Sequence, residues 1–245
     1  MADYGVAPER IAVVIPGTDR PSAPLQRTPG VEAGSDPHAE PGAKTDSEAG
    51  SATGTRTGTQ GLRLLCVATV TPRKGHAVLL QALAGLRERA WHLHCIGSLQ
   101  RDAATAAAAQ AATESLGLTQ RVSWHGEFDG EPLAAHYAQA DVFVLASYYE
   151  GYGMVLSEAL ANGLPVVSCA AGAIVDTVPA DAGVLVPPGD ADALRAVLAR
   201  LMDDAAHRAK LAAGAQRAAA SLPSWRDSAL AFEATLLRAM DAPPP

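Results

Sequence analysis

The chain has 245 residues, 48% of them hydrophobic and 4% aromatic, with a formal net charge of -7 and a pI near 5.4. That length allows one large domain or two small ones around a real core. Lysines and arginines are spread thinly, which excludes a nucleic-acid groove built on a basic stripe.

Residues 1–18 open the chain, and Ile11 to Ile15 read as one strand closed by Pro16-Gly17. From Asp19 to Gly61 the composition changes to Pro, Gly, Ser, Thr, Ala and scattered charge. Such a stretch buries too little apolar surface to offset ordering, so 19–61 is expected to be a disordered linker or insertion. From Leu62 the pattern becomes regular. Leu62–Val70 is a predicted strand, Thr71–Gly75 a polar turn, and 76–89 a helix with apolar residues at 79, 80, 83 and 86. Strands follow over Trp91–Ile96, Arg121–His125, Asp141–Ala146, Leu164–Cys169 and Gly183–Val186. Helices are predicted over Asp102–Leu116, Pro132–Ala140 and 154–161, with a short turn at Ile174–Val178. Three more cover 192–202, capped by Asp190, then 205–220 and 224–240. Strands alternating with helices of this length define an α/β, Rossmann-like parallel sheet with helices on both faces.

The 3 cysteines, Cys66, Cys95 and Cys169, lie in or beside apolar runs. An odd number without CxxC spacing argues against a disulfide framework or a zinc site and for buried free thiols. No signal peptide is expected, and no apolar stretch reaches the ~20 residues of a membrane span. The expected location is cytoplasmic.

Ligands of doubly wound sheets bind at the carboxyl ends of the strands. Arg73 and Lys74 stand at such an end. A guanidinium fork beside an ammonium suits a diphosphate, whereas a basic pair in a turn is otherwise a solvated surface. Gly151 and Gly153 permit a tight turn and close approach of backbone amides. The helix beginning near Met154 points its amides into the same space. Glu158 lies among Met154, Val155, Leu156, Ala159 and Leu160, and a carboxylate in so apolar a helix needs a partner. It can accept from vicinal ribose hydroxyls, cap a backbone group or pair with a cation. Glu150 can meet a sugar hydroxyl or developing positive charge, or be plain surface. Asp190-Ala-Asp192 has the form of a metal-binding DxD, yet its place after Pro-Pro-Gly fits helix capping better. The 7 histidines show no ligand spacing, and His92 and His94 read as one face of a strand. His125, at a strand end, either lines a site or packs.

TPRKGH (71–76), CIGS (95–98), RVSWHGEF (121–128), the run from Ala140 to Val167 and AGVLVPPGD (182–190) occur in that order. Together they resemble the nucleotide-sugar-binding C-terminal half of retaining glycosyltransferases of family 4, which have the GT-B fold. The resemblance covers about 61–205, and 11–19 is similar to the family's junction into this half. It implies a junction over 1–18, a donor domain over 62–222, and a helix and tail over 223–245 that cross back to the other half. It implies that Arg73 and Lys74 bind the donor diphosphate and stabilise the leaving group. Glu150 and Glu158 match the two glutamates of E-x7-E, the first at the donor sugar and the second at the ribose. Gly151, Tyr152, Gly153, Met154, Val155 and Leu156 would give backbone contacts to sugar and phosphate. Glu127 and Phe128 would lie near the base, with Gly97 under the nucleotide. No metal and no cofactor are implied; the donor is a UDP-, GDP- or ADP-sugar.

The expected enzyme is a retaining hexosyltransferase (EC 2.4). Its acceptor would be held by an N-terminal half or a separate subunit that this sequence does not supply. A non-catalytic nucleotide-sugar-binding or interaction module is the alternative, and a GT-B epimerase a third reading.

Overall fold

A computed structural model describes residues 10–21 and 61–241. The strands are β1 (Leu62–Val67), β2 (Trp91–Ile96), β3 (Val122–Trp124), β4 (Val142–Leu145), β5 (Val166–Cys169) and β6 (Gly183–Val186). The helices are α1 (His76–Ala84), α2 (Ala103–Ser115), α3 (Gly130–Gln139), α4 (Met154–Ala161), α5 (Ile174–Thr177), α6 (Ala191–Asp203), α7 (Ala205–Ser221) and α8 (Trp225–Asp241). All strand pairs are parallel, in the order β3-β2-β1-β4-β5-β6.

That order is the doubly wound one, and its direction reverses between β1 and β4. β4 and β5 are buried at every position, as strands covered by helices on both faces must be. α1 packs on α6 and α4 on α7. Asp190 caps α6 through the Ala193 amide at 2.8 Å, while Asp192 pairs with Arg195 at 3.0 Å, so the DxD has capping and surface roles. The three cysteines are free and buried.

Some predicted boundaries shift. β1 ends at Val67 rather than Val70, although the Ala68 and Val70 amides still bond Ile96 O and Ser98 O. α1 stops at Ala84 and gives way to turns. The predicted strand at Ile11–Ile15 is not formed: among the described residues no strand pairs with it, and Val13 is 80% exposed. The segment instead docks on the start of α8. Ile15 O accepts from Ser228 Oγ at 2.7 Å, the Thr18 amide donates to Pro223 O at 2.9 Å, and Arg20 donates to Leu222 O at 2.6 Å. Most of the stretch predicted to be disordered, 22–60, lies outside the described residues, as do 1–9 of the junction.

The reversal point is held at both ends. At its lower end the Arg63 amide donates to Asp141 Oδ2 and the Asp141 amide to Arg63 O, each at 2.8 Å. At its upper end Gly75, with φ 68°, lies against the β4 backbone: a Cβ there would stand 2.0 Å from Ala146 O. Gly75→Ala therefore combines left-handed strain with a backbone clash and is expected to cost about 1–3 kcal/mol. Thermal denaturation checks this against Gly151→Ala, whose added methyl meets nothing within 4 Å.

Candidate active site at the sheet reversal

The β1–α1 and β4–α4 loops leave neighbouring strands at the reversal, so their side chains meet although they lie far apart in sequence. Lys74 Nζ lies 2.6 Å from Glu150 Oε1 and an Arg73 guanidinium nitrogen 3.3 Å from Oε2. Arg73 also donates to Tyr149 O, and the Tyr148 amide returns a bond to Arg73 O at 2.8 Å. Ser147 Oγ lies 3.2 Å from Arg73 O and 3.1 Å from Tyr149 O, tying the loops further. Glu150 is buried, while the Arg73 side chain stays half exposed. Burial alone would raise the Glu150 carboxyl, but the bonds from Lys74 and Ser147 and the charges of Lys74 and Arg73 outweigh it, and its pKa is lowered.

Gly153, at φ 81°, is the left-handed turn that starts α4, and no side chain caps the helix. Leu156 is fully buried and its amide donates to Gly153 O at 2.8 Å, so this residue is committed to the core and the turn. Val155 is half-buried, Gly151 and Met154 are exposed, and Tyr152 is held by Ser157 and Thr177. Glu158, one turn along α4, accepts from the Tyr137 hydroxyl at 2.8 Å. Burial first, then the charge and hydrogen bond of Glu158, push the Tyr137 phenol well above its ordinary range, so it remains a donor. Tyr137, Met154, Glu158, Asn162 and the 17–21 segment line a cleft of about 680 Å³. The cluster of Arg73, Lys74 and Glu150 is outside that lining, which reaches Met154 at the start of α4.

Gly97 has a structural reason to be glycine: φ is 146° and a Cβ would lie 2.1 Å from Ala68 O. Glu127 is exposed, and Phe128 packs on the rings of His125 and His136, with centroids 5.6 and 5.4 Å away. Those rings belong to a group that linear spacing hides. His94, His125 and His136 bring one ring nitrogen each to within 4.8 Å of one another. Burial first, then His92, His125, His136 and Arg63, push His94 down to about 4, leaving a neutral imidazole at neutral pH. Tyr137 was equally hidden: a tyrosine on the inner face of a helix reads as core.

Residues 61–204 match the family model described as glycosyl transferases group 1. The chain belongs to the glycosyl transferases group 1. Among curated relatives, it is 34% identical over 171 residues to the MMP alpha-(1->4)-mannosyltransferase of Mycolicibacterium hassiacum, covering 68% of this chain and 41% of that protein. Sucrose-phosphate synthase from Thermosynechococcus elongatus superposes with a TM-score of 0.67 at 33% identity, over 74% of this chain and 45% of the other. Anabaena HepE, solved in complex with UDP and glucose, superposes with a TM-score of 0.67 at 24% identity, over 73% and 48%. This glycosyl transferase group 1 chain thus spans less than half the length of these relatives. Its Rossmann-like sheet is that of one half of a GT-B glycosyltransferase. Among the described residues no helix is long and apolar enough to cross a membrane.

Glu150→Gln keeps the shape of the buried side chain and removes its charge. It is expected to cost about 1–3 kcal/mol at neutral pH, the range for a charged hydrogen bond. Because the folded pKa of Glu150 lies below its unfolded one, the stabilisation is complete above the unfolded value, near ~4.3. It disappears as pH falls through the lower folded value. Urea denaturation of both proteins across that window should show the difference shrinking with acid; a difference independent of pH would refute the assignment.

Proposed function

We propose that this domain binds the nucleotide-diphosphate sugar of a retaining family 4 glycosyltransferase, in an enzyme of the hexosyltransferase type. The observation that carries the proposal is the cluster of Arg73, Lys74 and buried Glu150 at the sheet reversal, beside the uncapped N-terminus of α4.

Arg73 and Lys74 hold the diphosphate, with the α4 N-terminus adding its dipole. As the bond from the anomeric carbon to the diphosphate breaks, negative charge grows on the leaving oxygen. The two cations stabilise it there, and neither acts as a nucleophile. Glu150 faces the donor sugar and keeps the Lys74 ammonium aimed across the reversal point. Glu158 accepts from the ribose hydroxyls. Its bond from Tyr137 fixes the carboxylate rotamer and leaves Oε1 for the ligand. The cleft along α4 falls within the ~300–1,000 Å³ usual for small-molecule sites. The UDP held by HepE supports a nucleotide here, and UDP, GDP and ADP are the candidates. Glu127 and Phe128 are assigned to the base side and Gly97 to the floor.

The acceptor belongs to an N-terminal half or a separate subunit. In support, α8 exposes Trp225, Leu230, Phe232, Leu236, Leu237 and Met240, an apolar surface that such a partner would cover. Transfer proceeds only when both halves meet around the donor.

Calorimetry with UDP, GDP and ADP should give saturable binding for one of them. Lys74→Ala and Glu158→Ala should each weaken it by about 1–3 kcal/mol. Failure of all three nucleotides and their sugars to bind would overturn the proposal. Binding without sugar transfer, even with an acceptor-binding half present, would identify a non-catalytic nucleotide-sugar module.

A further inference from the structure

We infer that His94, His125 and His136 form a binding site for one divalent transition metal of the zinc class, with its fourth position open to water. The three rings come from three elements: His94 from β2, His125 from the loop after β3, and His136 from α3. One nitrogen of each lies within 4.8 Å of the other two, and His94 Nδ1 is 3.0 Å from His125 Nε2. Tetrahedral zinc with Zn–N near ~2.0–2.1 Å places its nitrogens about 3.3 Å apart. Small ring rotations reach that from the observed spacing.

The outer contacts also fit. His136 Nδ1–H donates to Pro132 O at 2.9 Å, a backbone carbonyl that fixes the tautomer and leaves the Nε2 lone pair as ligand. His92 is no competitor through Nε2, which is 2.9 Å from Ser123 Oγ. Without metal, the His94–His125 contact requires one ring to donate a proton to the other. On metal binding that proton moves to the second nitrogen of its own ring, so both facing lone pairs ligate and the charge count of the rings is unchanged. All three residues are half-buried, which lets an ion reach them while the ring of Phe128 shields His125 and His136.

A bound ion would act on α3. Tyr137 is the one buried residue of that helix, so packing alone anchors it weakly. The same helix lines the cleft and presents Tyr137 to Glu158. Occupancy would pin α3 to β2 and β3 and steady that contact. The inference stands whether or not the cleft takes a nucleotide.

The test uses the whole chain stripped with a chelator. Co2+ titration followed by visible absorption should give a tetrahedral ligand-field spectrum saturating at one equivalent. Zn2+ should displace the cobalt, raise Tm, and slow hydrogen exchange in 130–139. His136→Ala removes a ligand at the surface of α3 and should lower the affinity at least about a hundredfold, since loss of an outer partner alone gives about 10–100-fold. His125→Gln provides a second ligand variant should the first fold poorly. His207→Ala, on α7, should leave binding unchanged. Absence of a saturable cobalt spectrum would overturn the site, as would binding that survives in both ligand variants. Binding with no protection of 130–139 would overturn the coupling to α3.

Discussion

The ion pair between Lys74 and Glu150 depends on a backbone contact that only glycine permits. β1 and β4 are neighbours because the strand order reverses there, and Gly75 lets the β1 loop lie against Ala146. With the loops that close, the buried Glu150 carboxylate meets the Lys74 ammonium at 2.6 Å and the Arg73 guanidinium at 3.3 Å. Leaving either unpaired would carry the cost of an isolated charge in a poorly solvated place. The pair therefore sets loop spacing as much as loop spacing sets the pair. The same geometry places the start of α4 directly behind it.

The fold was legible because its signals are local. Strand and helix periods, Gly153 before α4 and Asp190 before α6 each act within a few residues. Ile11–Ile15 shows the limit of such signals: its pattern suits a strand, but a strand needs an edge to join, and this segment meets a helix terminus instead. For the candidate site, Arg73, Lys74 and Glu150 drew attention by residue type and place at strand ends, and Glu158 as a carboxylate within an apolar helix. That Glu150 is buried under both cations was not, because its partners lie 76 and 77 positions away. Tyr137 and the histidine trio were hidden for the same reason. His94 and His125 are 31 positions apart and meet because β2 and β3 pair in parallel, His94 opposite Ser123.

The cluster of Arg73, Lys74 and Glu150 largely offsets its own charges, which bears on what it can bind. Two cations held near one point would repel each other; Glu150 between them removes most of that cost and leaves a net charge near +1. Under the proposed function a diphosphate would share cations already satisfied by a carboxylate, so its ground-state affinity would be a difference between two good arrangements. Arg73, half exposed and with further donors on its fork, can add bonds to a ligand without giving up Glu150. Lys74 is mostly enclosed and held at 2.6 Å, so it can shift toward an anion only as the pull from that anion grows. Under the proposed function, where the leaving oxygen gains charge as the glycosidic bond breaks, such an arrangement would favour the transition state over the bound substrate. That differential, rather than tight binding, is what lowers a barrier.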